Sequence, residues 1–390
     1  MPQWSMTPVI EWLLHKGRRL PTREQVVGEL CARVRAAGMP IERVAFFFWS
    51  LHPQYFGVAL FWDGEKVTVA PGKYEMMQTD AYRNSPAARI SDGERAIRRR
   101  LERGGDQLDF PVLRELRDAG MTDYVIAEVV SGDGVRNSVS LATRRPGGFA
   151  DHDIAQIERL LHPFAMVMET FAGRDIARTL LETYLGRISG GRVLEGQIKR
   201  GDGEYIEAVL WFSDLRESTP LARALGEQRF LGLLNDYFEA TAGAVLQHGG
   251  EVLRFIGDAS LAVFPTSGGD APGARGACER AVLAARSARR RVAAANATRQ
   301  AAGLPAFASG IGLHLGRVLY GNIGTPERLE FSVIGAAANE AARIEALCKE
   351  TGQDVIVSDT VAASLGGALP SLGRFALRGV ADAVEVFALP

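Results

Sequence analysis

Apolar and polar positions along the chain change rhythm several times, and each change predicts an element. TREQVVGELCARVRAAG (22–38) spaces its apolar residues helically and stops at a glycine, which predicts a helix. RVAFFFWS (43–50) and YFGVALFW (55–62) are short runs rich in aromatic and β-branched residues, so they predict strands, with a turn at Asp63-Gly64. ERAIRRRLERGG (94–105) and FPVLRELRDAG (110–120) predict helices, and YVIAEVV (124–130) with NSVSLATR (137–144) predicts a second hairpin. Residues 150–185 carry a longer helical pattern in which Ile157, Leu161, Phe164, Met168 and Phe171 recur in steps of four and three. That spacing suits a two-helix coiled-coil seam and equally a single amphipathic helix packed on its own domain. The period slips at Gly173, and six glycines across 186–204 predict a flexible joint.

From residue 205 the order is a strand (206–213), helical residues (219–248), a hairpin (251–264), a Pro/Gly-rich loop (265–276) and an Ala/Arg helix (277–302). Paired strands FASGIGLHLG and RVLYGNIG follow, then a strand (329–334), a helix (336–350) and short terminal strands. This order predicts an α/β sandwich with a mostly antiparallel sheet and helices against one face. The chain divides into residues 1–150, a helical linker at 151–204, and residues 205–390. The first region runs helix, hairpin, helices, hairpin, closing helix. It resembles a small α+β sensor module of the GAF or PAS type, so the expected fold class is α+β throughout. A small-molecule ligand of that module is an open expectation, and His15 and His52 are its candidate cofactor contacts beside their plainer reading as structural or surface histidines.

Composition narrows the classes. A chain of 390 residues suggests two or three domains, and 47% hydrophobic with 23% charged residues is ordinary for a globular protein. Net charge is −1, which asks for neither a nucleic acid nor an anionic membrane surface. The arginine run SARRRVAAANATR (287–299) reads as a solvated helix face. Cys31, Cys278 and Cys348 are odd in number and far apart, as buried thiols in a reducing compartment are. The longest apolar run, VAFFFW (44–49), is strand-sized, so no membrane span is expected. The first basic residues follow the first apolar stretch, the wrong order for a secretory signal, and the expected location is the cytoplasm. No GxxxxGK[ST] loop exists, which argues against a P-loop nucleotidase.

Two stretches carry the chemistry. AVLWFSDLREST and EVLRFIGDASLAVF each run an apolar strand into an aspartate, Asp214 and Asp258, the second at a tight Gly257-Asp258 turn. Carboxylates held at strand ends can meet although 44 residues separate them. Such pairs bind hard divalent cations, and two cations organise phosphoryl chemistry. Taken singly, each aspartate would merely cap a strand or turn. Asn339 and Arg343 lie four apart in AANEAARIE, hence on one face of a helix.

FSDLREST, GGEVLRFIGDASLAVF, GLHLGRVLYGNIG, FSVIGAAANEAARIE and FALRGV stand in the order and spacing of a class III nucleotidyl cyclase catalytic domain. The resemblance covers residues 205–390 and implies a ferredoxin-like α/β sandwich. It implies two Mg2+ or Mn2+ ions per site on Asp214 and Asp258, with the Leu215 carbonyl a further ligand. One ion acidifies the ribose 3′-hydroxyl and the other holds the triphosphate. It also implies that Asn339 orients the ribose and Arg343 stabilises charge on the α-phosphate, while Arg317 and Arg378 hold the triphosphate. Arg378 stands where the family commonly has lysine. Base choice falls to Arg254, where adenylyl cyclases usually carry lysine, and Ser332, where they carry Asp or Thr. Arg254 only donates, whereas guanine needs acceptors for its N1 and N2 donors. ATP is therefore the expected substrate, with GTP the alternative. In this family the metal and ribose residues belong to opposite sides of a dimer interface, so a homodimer is expected, regulated through the helix at 151–204. A catalytically silent dimerisation or relay module is the other alternative. Gly268-Gly269-Asp270 resembles a diguanylate cyclase signature but lacks apolar flanks, and is set aside.

Overall fold

The computed structural model describes residues 4–132, 134–267, 273–380 and 382–390; the Gly268-Gly269-Asp270 triplet lies outside them. The chain splits into two compact units, Met1–Leu180 and Leu181–Pro390.

The first unit contains helices α1 (Thr7–His15) and α2 (Arg23–Ala36), then strands β1 (Arg43–Trp49), β2 (Tyr55–Trp62) and β3 (Val67–Lys73). Short helices α3 (Asp80–Arg83) and α4 (Pro86–Ser91) lead into β4 (Ala96–Arg100), α5 (Pro111–Asp118), β5 (Asp123–Val130) and β6 (Arg136–Thr143). The strands form one antiparallel sheet in the order β3-β2-β1-β6-β5-β4. Thr22 caps α2 by accepting from the Gln25 N–H at 3.3 Å, and the helix ends before Gly38, whose φ of +113° suits glycine.

Helix α6 (Asp151–Leu185) begins in this unit. Ile157, Phe164, Met168 and Phe171 are buried in the unit's own core with Val27, Leu30 and Phe46. The heptad-like spacing thus serves an amphipathic helix packed on its own domain, the second of the two readings. The arginine-rich segment expected as a helix at 94–105 is instead largely strand β4. Arg98 donates to Asp123 on the neighbouring strand β5 at 2.8 Å and Arg99 pairs at 2.7 Å with Asp109 in the connection before α5, so partners distant along the chain override local propensity.

The second unit opens with α7 (Arg187–Leu194), inside the stretch expected to be a flexible joint. Of its two glycines, Gly190 serves close packing. A Cβ on Gly190 would lie 2.8 Å from the Leu181 carbonyl carbon, and Ser189 is buried against Tyr320 and Glu251. Strand β7 (Gly203–Leu215) follows, then α8 (Ser218–Leu225), α9 (Glu227–Gln247), β8 (Glu251–Ile256), β9 (Ala259–Pro265) and α10 (Ala274–Ala301). Next come β10 (Ser309–Gly324), β11 (Leu329–Ile334), α11 (Ala336–Thr351), β12 (Val355–Ser358), α12 (Asp359–Leu365), β13 (Ser371–Phe375) and β14 (Val384–Ala388). The sheet runs β13-β14-β12-β10-β7-β9-β8, with β11 pairing β10, and among the described residues only β10 with β12 is parallel.

Two expectations need correction here. The paired strands at 307–324 are one continuous strand, β10, because Gly316 accommodates a helix and not a turn. The helices also do not share one face. Helices α9, α10 and α12 bury alanines and valines against Val209, Trp211 and Leu313, whereas Ala337 and Ala341 of α11 pack with Leu210, Val263 and Val318 on the other side. Among the described residues no helix is long and apolar enough to cross a membrane.

Candidate active site

Alternation along β7 decides which side each residue serves. Val209 and Trp211 enter the α9–α10 core, so Leu210, Phe212 and Asp214 face the side of α11. Register pairs Asp214 with Ala259 of β9 on one flank and Gly310 of β10 on the other. The β8–β9 hairpin turns at Gly257-Asp258, with Gly257 at φ +64° and nothing within 4 Å of where its Cβ would be. The Leu215 N–H donates to the Asp258 carbonyl at 3.3 Å, which sets Asp258 beside Asp214 at one end of the sheet. Burial raises the Asp214 carboxyl above its usual range, and the Asp258 charge raises it further. Arg216 and the Leu215 N–H partly offset both.

Helix α11 closes the site from the sheet's face. It approaches β10 so nearly that a Cβ on Gly312 would lie 2.5 Å from the Ala341 carbonyl oxygen and the Glu345 nitrogen. Its buried positions Ala337, Ala341 and Glu345 recur every four residues along that contact. Glu345, only 4% exposed, stands 3.2 Å from Arg216 in an ion pair under the aspartates. A side chain on Gly310 would collide with both partners. Burial pushes the Glu345 carboxyl up to about 7; Arg216 opposes that, and the charges of Asp214 and Asp258 add to it. Arg216 Nη2 and Glu345 Oε1 have no hydrogen bond beyond this charge contact. Among the described residues no three His, Cys, Asp or Glu side chains converge as a metal cage. Two carboxylates are still the donor number that magnesium takes when a substrate's phosphates complete its shell.

The remaining sequence-derived residues fall into three places. Asn339 is exposed and Arg343 half-buried on the face of α11 away from Ala341 and Glu345. The Arg378-Gly379 turn lies beside Arg343: a Cβ on Gly379 would be 3.7 Å from both of its Nη atoms, and Arg378 itself is exposed. Arg317 lies apart. It sits seven residues along β10 from Gly310, about 23 Å at strand rise, with its guanidinium 4.4 Å over the Tyr205 ring. Arg254 on β8 grips both carboxylate oxygens of Glu330 on β11 through Nε and Nη2. Ser332, two residues beyond Glu330 on the same strand face, is only 2% exposed.

Three residues here escaped the sequence reading: Arg216, Glu345 and Glu330. Glu345 left a signal, since it occupies a buried stripe otherwise filled by Ala341, Ile344, Leu347 and Cys348. Glu330 left none, because a glutamate on a short strand reads as an edge charge.

Comparison with known proteins bears on this unit. Residues 203–389 match the family model for the adenylate and guanylate cyclase catalytic domain. The chain is 28% identical over 183 residues to adenylate cyclase 1 of Rhizobium meliloti, covering 46% of this chain and 27% of that protein. It is 31% identical over 189 residues to an adenylate cyclase of Anabaena cylindrica, covering 48% of this chain and 36% of that one. The chain thus spans about a quarter to a third of these relatives' length. Among solved structures, the adenylyl cyclase CyaB from P. aeruginosa aligns with a TM-score of 0.45 at 23% identity, over 48% of this chain and 95% of that one.

Proposed function

Residues 203–389 belong to the adenylate and guanylate cyclase catalytic domain family, and from that premise we propose that the chain converts ATP into 3′,5′-cyclic AMP and pyrophosphate at a homodimer interface. The observation that carries this reading is the strand register that sets Asp214 beside Asp258. Both carboxylates and the Leu215 carbonyl offer hard oxygen donors, and the burial and then the Asp258 charge that raise Asp214 are both offset by a bound cation. Asp214, Asp258 and the Leu215 carbonyl would hold two Mg2+ or Mn2+ ions, which when bound would supply positive charge to the triphosphate and acidity to the ribose 3′-hydroxyl that attacks the α-phosphate in line. Asn339 orients the ribose. Arg343, always charged and able to give two parallel hydrogen bonds, stabilises the α-phosphate as charge builds, and Arg378 beside it holds the leaving pyrophosphate.

The need for two copies follows from placement. The aspartates lie on the sheet side of α11, whereas Asn339 and Arg343 lie on its outward face, and Arg317 is remote from Asp214 within one chain. A second copy contributes the missing half and brings Arg317 to a triphosphate held by its partner. Phe255 and Ile256, exposed beside Asp258, give that second copy an apolar surface to meet.

Base choice rests on Arg254 and Ser332. The grip of Glu330 fixes the Arg254 fork, leaving its remaining donors for adenine N1 while the Ser332 hydroxyl accepts from N6. One observation favours GTP as a second reading: the Glu330 carboxylate introduces an acceptor of the kind guanine N1 and N2 want. Arg254 already takes one acceptor site on each of its oxygens and brings donors that guanine N1 and N2 cannot use, so ATP is the better fit.

The reading extends to residues 1–150 as a regulatory module of the GAF or PAS type and to 151–204 as the helical transducer, in a cytoplasmic protein. Purified protein incubated with manganese and either ATP or GTP, with the cyclic product resolved, tests the core of it. Cyclic AMP from ATP is expected, and Asp214→Ala abolishes it without unfolding the chain. Preferential cyclic GMP would replace the substrate assignment, and no cyclic product from either nucleotide would overturn the enzymatic reading.

A further inference from the structure

The two faces of the first unit's sheet are filled differently. On one face, Val44, Phe46, Leu60, Trp62, Val139 and Leu141 are all buried and close against α2 and α6. On the other, register lines up short side chains across three adjacent strands. Ala45 lies between Phe61 and Ser140, Phe47 between Ala59 and Ser138, and Ala142 beside Arg43. Five of these positions carry nothing larger than serine where a packed core would carry valine or leucine. The covering layer of α3 and α4 answers with further short residues, Ala81, Ser85 and Ala87. What remains between the layers is a cavity of about 350 Å³. Interiors are normally packed to crystal density, and voids destabilise in proportion to their volume, so a hollow built from both sides implies an occupant.

The lining states the occupant's chemistry. The walls are aromatic and aliphatic: Phe47, Phe56, Phe61, Met76, Val112 and Leu116. At one end of the slot Arg43, Ala142 and Tyr124 form one row across β1, β6 and β5. The Tyr124 hydroxyl is engaged by Ser140. The cavity's other arginine, Arg136, is paired with Glu128 at 3.1 Å, whereas no carboxylate pairs with Arg43 among the described residues. One uncompensated guanidinium at the end of an apolar slot matches a flat hydrophobic body bearing a single negative charge.

We propose that this cavity is a binding site for a small aromatic monocarboxylate, its ring against the wall that Phe47 and Phe61 form together and its carboxylate on Arg43. The site lies wholly within residues 43–142 and stands or falls independently of the catalytic reading.

Calorimetric titration of the full chain with 1-naphthoate and biphenyl-4-carboxylate, each beside its primary amide, tests it. At least one acid should saturate a single site per chain below 1 mM and bind tenfold or more tightly than its amide. Arg43→Gln should bring the acid down to the amide without removing the amide's binding. Ala45→Leu with Ala59→Leu should abolish binding by filling the hollow. Ser140→Val fills it from the neighbouring strand and serves should the double variant fail to fold. Neither acid saturating by 1 mM, acid and amide binding alike, or binding that survives the filling substitutions would each overturn the assignment.

Discussion

Replacing Glu345 by glutamine probes the buried carboxyl that lies beneath Asp214 and Asp258 in the second unit. The carboxyl is pushed up to about 7 from an ordinary value of 4.5, by burial first and then by Asp214 and Asp258. The folded protein therefore keeps a proton that the unfolded chain releases between those two values. Stability from this group is complete below pH 4.5 and is lost as pH rises through about 7. Integrating the shift gives a loss of about 2–3 kcal/mol between pH 5 and pH 8. Glutamine keeps the shape beside Arg216 and carries no titration, so the variant should lack this loss. Hydrogen exchange of β10 and α11 amides, measured in EDTA at several pH values, reports opening of this unit specifically. The wild type should fall against Glu345→Gln by that amount, with most of the change by pH 7. Parallel stability curves would refute the argument, because other carboxyls such as Asp214 titrate in both proteins and cancel in the difference.

Two further substitutions probe the packing and the base pocket. Gly310→Ala drives a methyl group into Arg216 and Glu345; overpacking of this kind costs about 1–3 kcal/mol, so the unfolding midpoint should drop by several degrees and turnover with it, while an unchanged midpoint contradicts the packing. Glu330→Ala frees Arg254 from its clamp, and the ATP-over-GTP ratio of kcat/KM should fall about tenfold, the equivalent of one hydrogen bond; an unaltered ratio removes Glu330 from substrate selection.

Much of this unit was legible because its signals are local. An apolar run that ends in aspartate announces both a strand and a carboxylate at its end, and Asp214 and Asp258 lie, half-buried, where those runs place them. What escaped depended on partners distant in sequence. The arginines of 98–100 look helical until Asp123 is seen on the neighbouring strand and Asp109 in the connection before α5. Gly310, Gly312 and Gly316 look like turn formers, yet their use is to admit α11 against β10, and that contact is what buries Glu345 on Arg216. The spacing at 157–171 was truly ambiguous, because a helix packed on its own sheet and a helix packed on a twin need the same apolar stripe. In 186–204 the glycines signalled freedom, whereas Gly190 is there because the Leu181 backbone leaves no room for a side chain.

A site shared between two copies makes a quantitative demand. Asp214→Ala and Arg343→Ala should each be inactive alone, since every site loses its metal carboxylate or its phosphate-stabilising guanidinium. Random mixing of the two yields heterodimers with one intact site, and about a quarter of wild-type cyclic AMP production should return. A mixture no more active than its components, or substantial activity in either variant by itself, would contradict the shared site.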